Sequence, residues 1–202
     1  MKLIEAQQRL LDLKQPVLQI SDATACLKIG RVHASKILER LAREGGFVRL
    51  MRGKWAVSRK IDPLLLPEYL TTPLPSYISL QTALFYHGMI SQIPNVIYAV
   101  TLARSRRYST PLGVISTHHI QPNFFFGFGL VNGIKLATPE KALLDVLYLT
   151  PAKSNLFKTL PELEIPANFS VKTAYQLIKK IPSERLKNLV KIRLDNLGFA
   201  NK

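Results

Sequence analysis

The 202-residue chain carries 28 Lys and Arg against 13 Asp and Glu, a formal net charge of +15, and 47% of its residues are hydrophobic. That apolar content excludes disorder by composition, and the lack of any run of 18 or more apolar residues excludes a spanning helix. The surplus of positive charge points to nucleic acid ahead of a membrane surface, and it is densest in residues 1–60, where 13 Lys and Arg face 5 Asp and Glu.

Leu3, Ala6, Leu10 and Leu13 recur at helical spacing, which predicts a first amphipathic helix over residues 2–13, closed before Pro16. Ser21 is expected to cap a short second helix, with Asp22 at its positive end and a glycine-permitted turn at Lys28-Ile29-Gly30. A third helix runs from Arg31 or Val32 to Glu44. Ala34, Ile37, Leu38 and Leu41 form its apolar stripe, and Gly45-Gly46 stops it. Two strand-like runs follow, Phe47–Leu50 and Lys54–Val57, joined by Met51-Arg52-Gly53 with glycine at the tight turn. This order of parts is that of a winged helix-turn-helix, in which the third helix enters the major groove and the hairpin is the wing.

Residues 59–78 hold Pro63, Pro67, Pro73 and Pro75 and read as a connector whose leucines dock onto a surface. A mixed α/β domain is expected from 79 to 202. It opens with a helix from Ser79, its cap, to His87. Strands are expected at Val96–Thr101, Val114–Ile120 and on both sides of an Asn132-Gly133 turn, with a basic loop at Arg104–Arg107. Thr138 caps a helix with Pro139 at its first position and Ala142, Leu143, Val146 and Leu147 inward. Two further helices are expected, one from Val171 to Ile181 behind Ser170 and one from Ser183 to Gly198. The fold class is therefore α+β, divided as 1–58, 59–78 and 79–202.

Ser79-Leu80-Gln81-Thr82-Ala83-Leu84, His87-Gly88, Gln92-Ile93-Pro94 and Ala137–Asp145 resemble the core motif of the AbiEi family of antitoxins, and the first domain is similar to that family's N-terminal domain at Arg43-Glu44-Gly45 and Arg52-Gly53. The resemblance covers roughly residues 5–150. It implies a type IV toxin–antitoxin protein that represses its own operon through the winged helix. It also implies that the C-terminal domain counters a nucleotidyltransferase-like toxin without a stable complex.

The third helix sets Val32, Lys36, Glu39 and Arg43 opposite its apolar stripe, with Arg31, His33, Ser35 and Arg40 around them. Lys36 and Arg40 are candidates for guanine edges or phosphates, and Val32 for a thymine methyl group. The plainer reading is a solvated face with a Glu39–Arg43 pair. Arg49, Arg52 and Lys54 are the expected phosphate clamps of the wing, and Trp55 is expected to fill the core beneath it. Arg104, Arg106 and Arg107 read as a second DNA contact, a toxin-facing surface or a solvated loop.

His118 and His119 point to opposite faces of a strand, so no metal site is expected, and His87 is expected to cap or pack. Glu140 answers a helix dipole and Lys141–Asp145 is an i,i+4 pair. The Gly127-Phe128-Gly129 run is not a dinucleotide fingerprint, because the third glycine falls one residue late at Gly133, and the neighbouring phenylalanines fill the second core. No nucleophile–base arrangement, catalytic residue or cofactor motif is evident, so the chain is expected not to be an enzyme. A lone Cys26 and an N-terminus without a signal-peptide core point to the cytoplasm. The alternative function is a stand-alone regulator whose second domain senses a ligand or partner.

Overall fold

The computed structural model describes residues 2–150 and 162–199. Residues 151–161 and 200–202 of the expected second domain lie outside them, as does Met1.

The N-terminal part runs α1 (Leu3–Leu11), β1 (Val17–Gln19), α2 (Ile20–Leu27), α3 (Arg31–Arg43), β2 (Val48–Met51) and β3 (Lys54–Ala56). The three strands form an antiparallel sheet in the order β1-β3-β2. The stripe Ala34, Ile37, Leu38 and Leu41 is buried with Ala6, Leu10, Leu18, Phe47 and Trp55. Gly45 (φ 82) ends α3 and Gly53 (φ 84) turns the hairpin, conformations that cost glycine little. Strand β1 has no counterpart in the sequence reading, because three residues are too few to show a period.

Two expected helix ends are corrected. The cap of α2 is Gln19, whose N–H donates to Asp22 Oδ2 (2.7 Å), two residues before the expected Ser21. At its other end, Lys28 rather than Gly30 takes the left-handed conformation (φ 53), and Gly30 is the extended residue that opens α3.

The connector does dock. Asp62 accepts from Leu64 N–H (2.9 Å) to start a tight turn that leads into α4 (Leu66–Thr71). Leu66 and Leu70 of α4 pack with Val17, Val48, Leu50 and Ala56 on the outer face of the small sheet, where Ile115 joins them. The small sheet is thus buried on both faces. The connector's last residues, Ser76–Ile78, form β4, a central strand of the second sheet.

The second sheet has six strands in the order β6-β7-β5-β4-β9-β8. They are β5 (Ile97–Thr101), β6 (Arg106–Thr110), β7 (Gly113–His119), β8 (Phe128–Val131) and β9 (Ile134–Ala137), with β4. The β5/β7 and β4/β9 pairs are parallel, and the other neighbours are antiparallel. Asn132 (φ 49) and Gly133 (φ 82) make the two-residue turn between β8 and β9. Arg106 and Arg107 belong to β6 and not to the expected basic loop, which keeps Arg104. The helices are α5 (Leu80–Tyr86), α6 (Pro139–Leu149), α7 (Val171–Ile178) and α8 (Glu184–Leu194).

Helix α6 is buried on every side from Pro139 to Tyr148, not on one stripe alone, because α5, α7 and α8 all pack on it. Burial on all sides encloses its charges. Lys141 and Asp145 are both 0% exposed and form an ion pair. Asp145 also accepts from Tyr77 Oη (2.9 Å) and from Ser79 Oγ (2.7 Å). The Lys141 ammonium lies 3.7 Å from the Phe124 ring centroid and 5.2 Å from that of Phe126. Burial lowers the Lys141 pKa and raises that of Asp145, each shift opposed by the partner's charge. Ser79 holds the N-cap position of α5, as expected, but its side chain makes no capping bond. Its hydroxyl serves Asp145, and the next residue, Leu80, is held at φ 57, an uncommon conformation for leucine. Gly127 (φ 75) touches the Lys141 stem, where an added Cβ would sit 3.0 Å from Cγ.

Removing one member of a buried pair strands the other charge and costs about 3–5 kcal/mol, whereas replacing both with apolar residues of similar volume is often close to neutral. Urea denaturation should therefore show large losses for Lys141→Met and Asp145→Leu singly, and a smaller loss for the double variant than for their sum. Additive losses would mean that the pair does not act as a unit.

Candidate nucleic-acid interface

Between α3 and the β2–β3 hairpin lies an open cleft. Arg31, Val32, Ser35 and Lys36 line it from the helix, and Arg49 and Arg52 from the hairpin. Each residue is placed by the local fold. The apolar stripe of α3 faces the core, which turns Val32 and Lys36 outward. On the hairpin, Arg49 stands opposite Trp55 in the sheet register and so projects toward α3. Arg52 is carried at the turn before Gly53. Val32 is 73% exposed, an apolar side chain left in water at the start of the helix.

The one acidic group in this cleft is Glu39. It accepts from Ser35 Oγ (3.3 Å) and lies 4.0 Å from Arg49. The expected i,i+4 partner, Arg43, is replaced by a residue from the neighbouring strand. That exchange ties helix to hairpin weakly, since both side chains are about half exposed.

Arg31 and Arg52 also line a second cleft on the other side of the hairpin tip, with Ser21 and Thr24 of α2. Nothing in the local sequence marks those two polar residues as part of an interface. Their place depends on β1 pairing with β3, which sets the start of α2 beside the turn, where Ile20 N–H donates to Gly53 O (3.3 Å). His33 joins Arg31, Val32 and Lys36 around the N-terminus of α3. Arg40 and Arg43 are exposed in the last turn of α3 and line none of these three clefts. Their charges there complement the helix C-terminus.

Lys54 departs most from expectation. Its ammonium donates to the backbone carbonyls of Tyr69 and of Leu70 (3.0 Å) in the last turn of α4. Burial lowers its pKa. Its ammonium is thus engaged by α4, although the residue also borders the second cleft beside Arg31 and Arg52. Trp55 is 1% exposed and fills the core under the hairpin, and its Nε1 has no hydrogen-bond partner among the described residues.

Arg104, Arg106 and Arg107 are exposed but do not form one patch. Arg106 stacks over the Tyr108 ring (5.1 Å), on the face of β6 turned toward the small sheet. Arg107 takes the opposite face, in register with Ser116 and, through it, Tyr98. Its charge lowers the Tyr98 pKa, although burial, the larger effect, raises it.

The remaining candidates serve packing. His87 Nε2 bonds Ala137 O (2.7 Å), which requires the proton on that nitrogen. Glu140 accepts from Ser170 N–H (2.7 Å) and so joins α6 to the start of α7. The phenylalanines 124, 125, 126 and 128 pack in the second core. Among the described residues no group of three or more His, Cys, Asp or Glu side chains is placed to hold a metal ion, and no helix is long and apolar enough to cross a membrane. The chain matches no known protein-family model and no curated protein.

His118 sits in a half-buried row with Ser116, whose Oγ is 3.1 Å from its Nε2. Burial pushes its pKa down from 6.5 to about 4. Between those values the unfolded chain binds more protons than the folded one, so stability is full above pH 6.5 and falls as pH drops toward 4. Denaturation midpoints should decline over that window in the native protein and less steeply in His118→Gln. Parallel profiles would show that His118 does not titrate in this way.

Proposed function

We propose that this protein is a winged helix-turn-helix DNA-binding protein that represses its own operon, and that its C-terminal domain acts as an antitoxin against a nucleotidyltransferase-like toxin. In this reading α3 lies in the major groove of double-stranded DNA and the β2–β3 hairpin is the wing along the backbone. The observation that carries it is the convergence of Arg31, Val32, Ser35, Lys36, Arg49 and Arg52 on one exposed cleft between helix and hairpin. Such a cleft offers cations to phosphates, bidentate donors to guanine, and an apolar contact to a thymine methyl group.

The antitoxin half rests on the resemblance of Ser79–Leu84, His87-Gly88, Gln92–Pro94 and Ala137–Asp145 to the AbiEi family. The protein works in the cytoplasm, without a cofactor or a catalytic step of its own, and needs no stable complex with the toxin. Arg106 and Arg107, on opposite faces of β6, and Arg104 before it offer separate cationic contacts for DNA or toxin.

A gel-shift titration on the protein's own upstream DNA, at two salt concentrations beside a scrambled fragment, tests the DNA-binding half. Specific binding should survive the higher salt, and affinity should fall steeply with salt as phosphate contacts require. Lys36→Ala should weaken specific binding by about tenfold, the order expected for one base-reading side chain, and Lys172→Ala on the surface of α7 should not. Equal losses from both variants would remove α3 from the interface. Co-expression with the toxin tests the other half. Growth should be rescued by the native protein and by Lys36→Ala alike.

A further inference from the structure

Lys54 stands beside the tip of the hairpin, two residues after Arg52 and directly after the Gly53 turn, yet its ammonium reaches the Tyr69 and Leu70 carbonyls of α4. Those carbonyls are in the last turn of a six-residue helix, where backbone acceptors have no partner within the helix. The bonds are charge-assisted. The same helix presents Leu66 and Leu70 to the outer face of the small sheet, against Val48, Leu50 and Ala56, and Ile115 of β7 closes the contact from the second sheet.

We propose that Lys54 is a positioning residue for DNA binding, which fixes the β2–β3 hairpin to α4 and thereby to the second sheet, so that Arg52 is presented at a set height beside α3. This rests on the DNA-binding reading above. It replaces a phosphate contact at Lys54 with an internal one, and it makes the hairpin's aim depend on packing across the connector. A wing held on one face by the α1–α3 core and on the other by α4 loses little conformational freedom when it meets the duplex, so less of the contact energy is spent on ordering it.

The test uses the full chain with Lys54→Met, Lys54→Arg and Arg52→Ala. Hydrogen exchange without DNA reads the anchor directly. Amides of Leu50–Ala56 should exchange faster in Lys54→Met than in the native protein, and Lys54→Arg, which keeps charge and donors, should restore protection. DNA affinity as a function of salt reads its consequence. Lys54→Met should weaken binding by about tenfold, as loss of charged hydrogen bonds allows, with the salt slope unchanged. Arg52→Ala should reduce the slope by about 0.9, the change for one phosphate contact.

In the Arg52→Ala background, Lys54→Met should cost little further affinity, because the guanidinium at the turn that Lys54 positions is gone. General destabilisation would instead lower affinity in both backgrounds. A salt slope reduced by Lys54→Met with unchanged exchange would make Lys54 a phosphate ligand and overturn the proposal. Native exchange rates in Lys54→Met would also overturn it. If the native protein showed no preference for its upstream DNA, the DNA-binding reading would fall, and the exchange experiment would still decide whether Lys54 holds the hairpin.

Discussion

A charge pair with no access to water organises the larger half of this protein. Lys141 and Asp145 lie one turn apart on α6, and neither can be hydrated. Buried charges of this kind require complete satisfaction, and the surrounding elements supply it. β4 and the residue after it bring the Tyr77 and Ser79 hydroxyls to Asp145, and the segment after β7 brings Phe124 and Phe126 to the ammonium. The chain accepts a left-handed Leu80 and a glycine at 127 to keep those groups in place. The pair therefore fixes how α6 sits on the sheet, and α5, α7 and α8 are arranged around that helix.

The same sheet reaches the N-terminal part through its other edge. Ile115 of β7 and the leucines of α4 cover the outer face of the small sheet. A two-stranded hairpin alone is marginally stable in water, and here the strands gain a third partner, a helical core on one face and a connector on the other. Arg49 and Arg52 thus stand on a hairpin restrained from both sides. The basic surplus of residues 1–60 is divided between two uses. Arg31, Lys36, Arg49 and Arg52 face solvent, while Lys54 satisfies the end of a helix.

Much of this arrangement is legible in the chain. The stripe of α3, its glycine stop, the Gly53 turn, the Asn132-Gly133 turn and the Thr138 cap all follow from local chemistry, because each depends on residues within a few positions. Elements set by distant partners are harder to read. β1 is three residues long and exists through pairing with β3. β4 lies among prolines and reads as linker until β5 and β9 flank it. Ser79 has the composition of a helix cap, but the buried carboxylate 66 residues away binds it instead.

The sequence by itself determined the charge, the α+β class and the face of α3 turned away from the core, because hydrophobic period and turn chemistry are local properties. Only the tertiary structure decided which cations remain free to meet a ligand. Lys54 and Arg52 are equivalent on composition, and their separation follows from α4, whose unpaired carbonyls lie within reach of one and not the other. The i,i+4 spacing of Lys141 and Asp145 was legible too. That the pair is sealed from water was decided by the packing of three helices around α6, which no local pattern encodes.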